Sequence, residues 1–186
     1  MAIKTFTTGE VLTAADTNTY LNNGGLVYIT QSTFSAVASV SMNNCFSSTY
    51  DSYKITLQVF GSGATNCRLR LRVGGVDATG SDYYDRGYYN QAGSVLALTN
   101  SATGLGAFLT NYDTNVGYPG RVSCDIHGPA LAARTVFHTQ WADSFSVLAG
   151  DTHSTHATGT AYDGFTLTAA SGTITGTVRV YGYRQA

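Results

Sequence analysis

The amino-acid sequence predicts an all-β protein, a jelly roll or β-sandwich preceded by a short N-terminal arm and helix. Composition is the first reason. Of 186 residues only 11% are charged, glutamate occurs once, at Glu10, and lysine twice, at Lys4 and Lys54. Strong helix formers are therefore scarce, while Thr, Ser, Gly, Asn and Tyr, which suit strands and turns, abound. Alternation is the second reason. Tyr53, Ile55, Leu57 and Val59 alternate with Lys54, Thr56, Gln58 and Phe60, and a period of two puts one set on each face of a sheet. Punctuation is the third. Turn residues divide the chain into roughly eight to ten strand-length runs, the pattern of a sandwich or jelly roll. A chain of this length can bury roughly 70% of its unfolded surface, so its core needs neither disulfide nor metal.

The elements follow in order. Residues 1 to 12 read as an extended arm with apolar contacts at Phe6, Val11 and Leu12. Thr13 to Asn23 reads as the only helix, with Thr13 as N-cap, Asp16 completing a weak capping box, and Gly24-Gly25 as its end. So short and polar a helix does not hold itself together in water. It docks through Leu12, Ala15, Tyr20 and Leu21, either on its own sheet or on a neighbouring subunit or larger assembly. The one boundary falls there, giving an arm-and-helix segment, 1–25, and a β-domain, 26–186.

Leu26 to Gln31 and Phe34 to Met42 are the first strands of that domain. Tyr50 to Val73 is expected to form a hairpin, its second strand alternating Leu69, Leu71 and Val73 with Arg68, Arg70 and Arg72 about a turn at Gly61 to Asn66. A glycine corner at Gly74-Gly75 leads to a tyrosine-dense stretch, 81 to 91, and to short strands at Val95 to Thr99 and Leu105 to Thr110. Arg121 to His127 puts Val122, Cys124 and Ile126 on one face. Arg134 to Trp141 does the same with Thr135, Phe137, Thr139 and Trp141. A brief strand at Phe145 to Leu148 precedes a polar stretch, Asp151 to Thr160, which reads as a loop. Phe165 to Ala169 and the long run Thr173 to Tyr183 close the domain.

Charge and motif exclude several functions. A net charge of −1 gives no electrostatic case for nucleic acid or an acidic membrane. No apolar run approaches the roughly 20 residues of a membrane span, and Met1 to Glu10 lacks the apolar region of a secretion signal. Cys45, Cys67 and Cys124 lack metal-ligand spacing and read as free, buried thiols of a protein made in a reducing compartment. No nucleophile elbow and no phosphate-cradling glycine loop is present, so no cofactor and no catalytic residue are expected. Asp82 with Asp85 is the one carboxylate pair left open to glycoside hydrolysis.

Three stretches carry chemistry without deciding it. In Asp151-Thr152-His153-Ser154-Thr155-His156, two histidines and an aspartate are potential metal ligands. In a strand the histidines would face opposite ways, and the flanking Gly, Ser and Thr favour a solvated loop with no metal. His127 and His138 read as isolated groups on strands. Tyr83, Tyr84, Arg86, Tyr88 and Tyr89 suit edge packing, a protein contact or sugar rings. The stripe Arg68, Arg70, Arg72 suits nearby aspartates or a neighbouring subunit better than phosphate.

The opening Phe6 to Leu21 follows an F-x-x-G-x-x-L-T-A-A-D-x-N pattern and resembles the start of structural proteins of tailed bacteriophages. The closing run Gly172 to Tyr183 and the central Tyr50-Asp51-Ser52-Tyr53-Lys54-Ile55 are similar to segments of the same proteins. The resemblance implies a virion protein, assembled after synthesis in the host cytoplasm and often a homotrimer, held to the particle by its N-terminal segment. Its role would be to decorate or cement the particle or to link a short fibre to it. Partners would be other copies of itself and the major capsid or another virion protein. Virion and subunit contacts would fall on Phe6, Val11, Leu12, Tyr20, Leu21, Arg179 and Tyr181. The alternative is a tail-associated module binding host glycan through Tyr83, Tyr84, Arg86, Tyr88 and Tyr89.

Overall fold

The computed structural model describes residues 7–11, 13–16, 25–63, 65–91, 93–103, 105–114, 117–143 and 148–184. The predicted contact residues Phe6, Leu12, Tyr20 and Leu21, and the helix beyond Asp16, lie outside them. Within the arm, α1 (Ala14–Asp16) is capped as its sequence dictates. The Thr13 N–H donates to Asp16 Oδ2 at 3.1 Å, and the Asp16 N–H donates to Thr13 Oγ1 at 3.1 Å. Both backbone donors are satisfied, with aspartate in place of the usual glutamate.

The β-domain is an antiparallel sandwich, and the described residues hold thirteen strands, more than the periodicity predicts. They are β1 (Leu26–Val37), β2 (Ser39–Met42), β3 (Ser52–Gly61), β4 (Thr65–Val73), β5 (Val76–Asp77), β6 (Tyr83–Gln91) and β7 (Ser94–Thr103). Then come β8 (Ala107–Tyr112), β9 (Gly120–His127), β10 (Thr135–Asp143), β11 (Leu148–His156), β12 (Gly164–Ala169) and β13 (Ile174–Tyr183). The larger sheet runs β1-β13-β3-β9-β10-β11-β6-β7. The smaller runs β2-β12-β4, with β8 and β5 sharing the far edge of β4. Successive strands β1/β2, β3/β4 and β12/β13 alternate between sheets. The order β1-β13-β3-β9 facing β2-β12-β4-β8 is that of a jelly roll. The remaining long strands, β10, β11, β6 and β7, extend the larger sheet beyond β9.

Alternation places the core. Tyr53, Ile55, Leu57 and Val59 of β3 are buried, as are Val122, Cys124 and Ile126 of β9 and Phe137 and Trp141 of β10. They meet Leu69 and Leu71 of β4 and Phe165 and Leu167 of β12 across the sandwich. All three cysteines are free and buried. Burial pushes each thiol up to about 12, far from the range of a reactive thiolate.

Three expectations are corrected. The Tyr50–Val73 hairpin does not form, because β3 pairs with β13 and β9 while β4 pairs with β12, β5 and β8. The turn between them is tied elsewhere, Gly61 N–H to the Asp113 carbonyl and Ser62 N–H to the Thr173 carbonyl. The two strands share one core by facing each other across it, and the same turn residues serve either geometry. The break expected at residues 32–33 falls instead at Ala38, where the chain passes from β1 to β2. The polar stretch 151–156 belongs to strand β11 and is no loop: β10 and β6 flank it and take its backbone hydrogen bonds. Its buried side chains are polar, so no hydrophobic alternation announced it. Trp141 Nε1–H donates to Thr152 Oγ1 at 3.4 Å, Ser154 Oγ donates to Asp85 Oδ1 at 2.6 Å, and His156 Nε2 meets Tyr162 OH at 2.6 Å.

Candidate functional site

The extension half of the large sheet presents its outer face to solvent, and register decides which residues meet there. In β6 the even positions Tyr84, Arg86, Tyr88 and Asn90 are exposed, while Tyr83 and Asp85 are buried. In β11, Asp151 and His153 face outward, and Thr152, Ser154 and His156 face in. In β10 the outward residues are Val136, His138 and Gln140. Cross-strand pairing then sets His138 opposite His153, Gln140 and Tyr88 on either side of Asp151, and Arg86 opposite His153.

His138, Asp151 and His153 form one cluster. His138 Nε2 lies 2.9 Å from Asp151 Oδ2 and 3.1 Å from Oδ1. His153 Nε2 lies 3.2 Å from Asp151 Oδ1. The imidazoles stack with centroids 4.5 Å apart and planes 4° from parallel. Two imidazoles therefore converge on one carboxylate, at side-chain exposures of 36% for His138, 44% for Asp151 and 64% for His153. Beside the cluster, a cleft of about 320 Å³ is lined by Arg86, Tyr88, Thr99, Asp151 and His153. A second, of about 390 Å³, lies between Tyr88, Tyr89, Gln140, Trp141 and Asp151. Tyr88 and Asp151 border both.

No protein-family model, curated protein or solved structure matches this chain.

The predicted contact residues separate by strand face. Tyr84 and Tyr88 are 38% and 65% exposed and border the open face with Arg86. Tyr83 is corrected. It is fully buried, its hydroxyl accepts from Leu71 N–H at 2.9 Å, and its ring lies 4.3 Å from that of His156. Tyr89 turns inward beside Trp141, 6.2 Å between centroids. Arg179 and Tyr181 lie on the outer face of β13, Arg179 exposed and Tyr181 half-buried edge-on to Tyr28. Val11 is 78% exposed.

The Asp82–Asp85 pair offers no open acid pair. Asp85 is wholly buried, with Arg68 Nη1 3.0 Å from its Oδ2 and with Phe108 N–H and Ser154 Oγ on its Oδ1. It clamps β6 to the smaller sheet. The arginine stripe finds aspartates, Arg68 with Asp85 and Arg72 with Asp77 at 3.5 Å. His156, read with His153 as part of a solvated loop, lies on the inner face of β11, opposite to His153, and burial holds its pKa below the usual histidine value. His138 is the group the sequence left isolated. Alternation put it on the outer face of its strand, but only the β10–β11 register reveals its partners.

Proposed function

We propose that this chain is a non-enzymatic structural component of a tailed-bacteriophage virion, an oligomer and by resemblance a homotrimer. Residues 1–24 hold it to the particle, and the sandwich decorates or cements the surface or links a short fibre to it. The observation that carries this reading is the arm. Its motif carries the phage resemblance together with the central and closing segments, and Val11, Ala14 and Ala15 are exposed rather than packed into a core. Apolar groups on a segment outside the sandwich gain free energy when a partner covers them. The major capsid protein or another virion protein is that partner. A jelly roll of low charge, −1 overall, lets copies pack without strong repulsion. Arg179 and Tyr181 stand on the outer face of β13 as the subunit-contact candidates.

Antibody labelling of intact particles, imaged by electron microscopy, tests the assignment. Label over the head supports decoration or cement. Label confined to the tail end promotes the tail-associated, glycan-binding alternative, and bare particles refute a virion protein.

One observation favours a second reading. Tyr88 stands exposed along two open clefts with Arg86, Asn90 and Asp151, and Tyr84 is exposed on the same strand face. Aromatic faces with amide and charged neighbours suit sugar rings, so a glycan-binding role is the alternative. Binding to host cells that free sugar competes away, and that Tyr88→Ala abolishes, would establish it.

A further inference from the structure

We propose that His138, Asp151 and His153 form a binding site for a divalent transition-metal ion, of which zinc is the natural probe, on the outer face of the extension half. Three features carry the proposal. The donors are two imidazole nitrogens and one carboxylate, a set that suits Zn²⁺ and its neighbours rather than Mg²⁺ or Ca²⁺. Their ligand atoms all lie within 4.8 Å of one another, the Nε2–carboxylate separations being 2.9 and 3.2 Å. Ligands about 2.0–2.1 Å from a tetrahedral zinc stand about 3.3 Å from each other, so the spacing already approaches that of a bound ion. Third, register fixes the backbone. Asp151 and His153 are two apart on one strand, and His138 is the direct cross-strand partner of His153.

The electrostatics point the same way. One carboxylate faces two imidazoles, and both Nε2 atoms are turned toward it. A divalent ion seated between them would meet two imidazole nitrogens and a negative charge at once. Because the rings are parallel, one must turn for both lone pairs to converge, and His153, 64% exposed, has the room to do so. Three protein ligands leave a coordination position open. The cleft beside Arg86 and Tyr88 adjoins it, so an oxygen of an incoming partner is the fourth ligand that fits.

The test is calorimetric titration of the full, tag-free chain with zinc chloride, with circular dichroism confirming that each variant folds. The folded protein should take up one zinc per chain. Outer-shell partners of a metal cost about 10–100-fold when removed, so His138→Ala and His153→Ala, which remove ligands, should each weaken uptake by about tenfold or more. His127→Ala, on the same sheet but away from the cluster, should bind like the wild type. Absence of uptake by the folded wild-type chain would overturn the site. So would undiminished uptake by the His138→Ala/His153→Ala double variant, or equal competition by magnesium.

Discussion

The two halves of the large sheet share one backbone plan and differ in what they do with their polar outer faces. On the jelly-roll half, β1-β13-β3-β9, polar groups satisfy one another. Lys54 Nζ donates to Asp125 at 2.9 Å, Tyr183 OH donates to the same carboxylate oxygen at 2.5 Å, and Ser52 Oγ meets His127 Nδ1 at 2.9 Å. Burial alone would weaken the charges of Lys54 and Asp125, but their mutual hydrogen bonds and that of Tyr183 outweigh it, holding Lys54 up and Asp125 down. On the extension half, β10-β11-β6-β7, one carboxylate serves two histidines, and Tyr88 and Val95 are 65% and 71% exposed. The first network joins its charged groups to one another, whereas the second sets a carboxylate and two imidazoles beside clefts open to solvent.

Breaking the attachment of the extension half gives the largest effect. Asp85→Ala strands Arg68, whose side chain is 8% exposed, and removal of one partner of a buried pair costs about 3–5 kcal/mol. Urea unfolding should show that loss, and a change below about 1 kcal/mol would mean that the ion pair is not the clamp. Next is the seam inside that half. A Cβ on Gly87 would stand 2.2 Å from the Asp151 carbonyl oxygen, so Gly87→Ala should cost about 1–3 kcal/mol through the strand shift it forces. Thermal melts of Gly87→Ala check this, and a wild-type melting temperature would contradict the seam's closeness.

A smaller effect is set by pH. His156 is buried with its pKa below its ordinary 6.5. The unfolded chain then binds the proton more readily, so its contribution to stability is complete above 6.5 and is lost as pH falls through the lower, folded value. His156→Gln should flatten the fall in stability just below pH 6.5, measured as unfolding free energy at several pH values. An unchanged slope would place the proton elsewhere. Smallest is the jelly-roll half's own network. Lys54 and Asp125 are 23% and 25% exposed, and solvent screening holds the effect of Lys54→Met to about 1 kcal/mol or less. A larger loss in denaturant titration would show that this half depends on its surface charges as the other depends on Asp85.

Legibility divides along the same line. The jelly-roll half was readable because β3, β9 and β13 alternate apolar with polar residues, and the fold class follows from them. In the extension half β10 was legible in the same way, but β11 was not, because it buries Thr152, Ser154 and His156, polar residues whose partners come from distant strands. Reading β11 as a loop separated His153 from His138 and hid the cluster. The tyrosines were legible as a group but not by face: Tyr83 is buried and Tyr84 exposed because strand alternation, absent from a loop, separates neighbours. The failed hairpin at β3–β4 has another cause. Turn residues fix a reversal of direction, while the choice between pairing beside and packing across is made by the edges of strands far away in sequence.

The most direct measurement is co-sedimentation with virions that lack the native copies. Three proteins would be offered: the full chain, a chain lacking residues 1–24, and the full chain carrying Tyr84→Ala and Tyr88→Ala, each checked for folding by circular dichroism. The account predicts that the full chain and the double variant sediment with the particles, while the folded truncated chain stays in solution. Attachment of the truncated chain, or loss of the double variant, would contradict a protein held by its arm with the extension face left free.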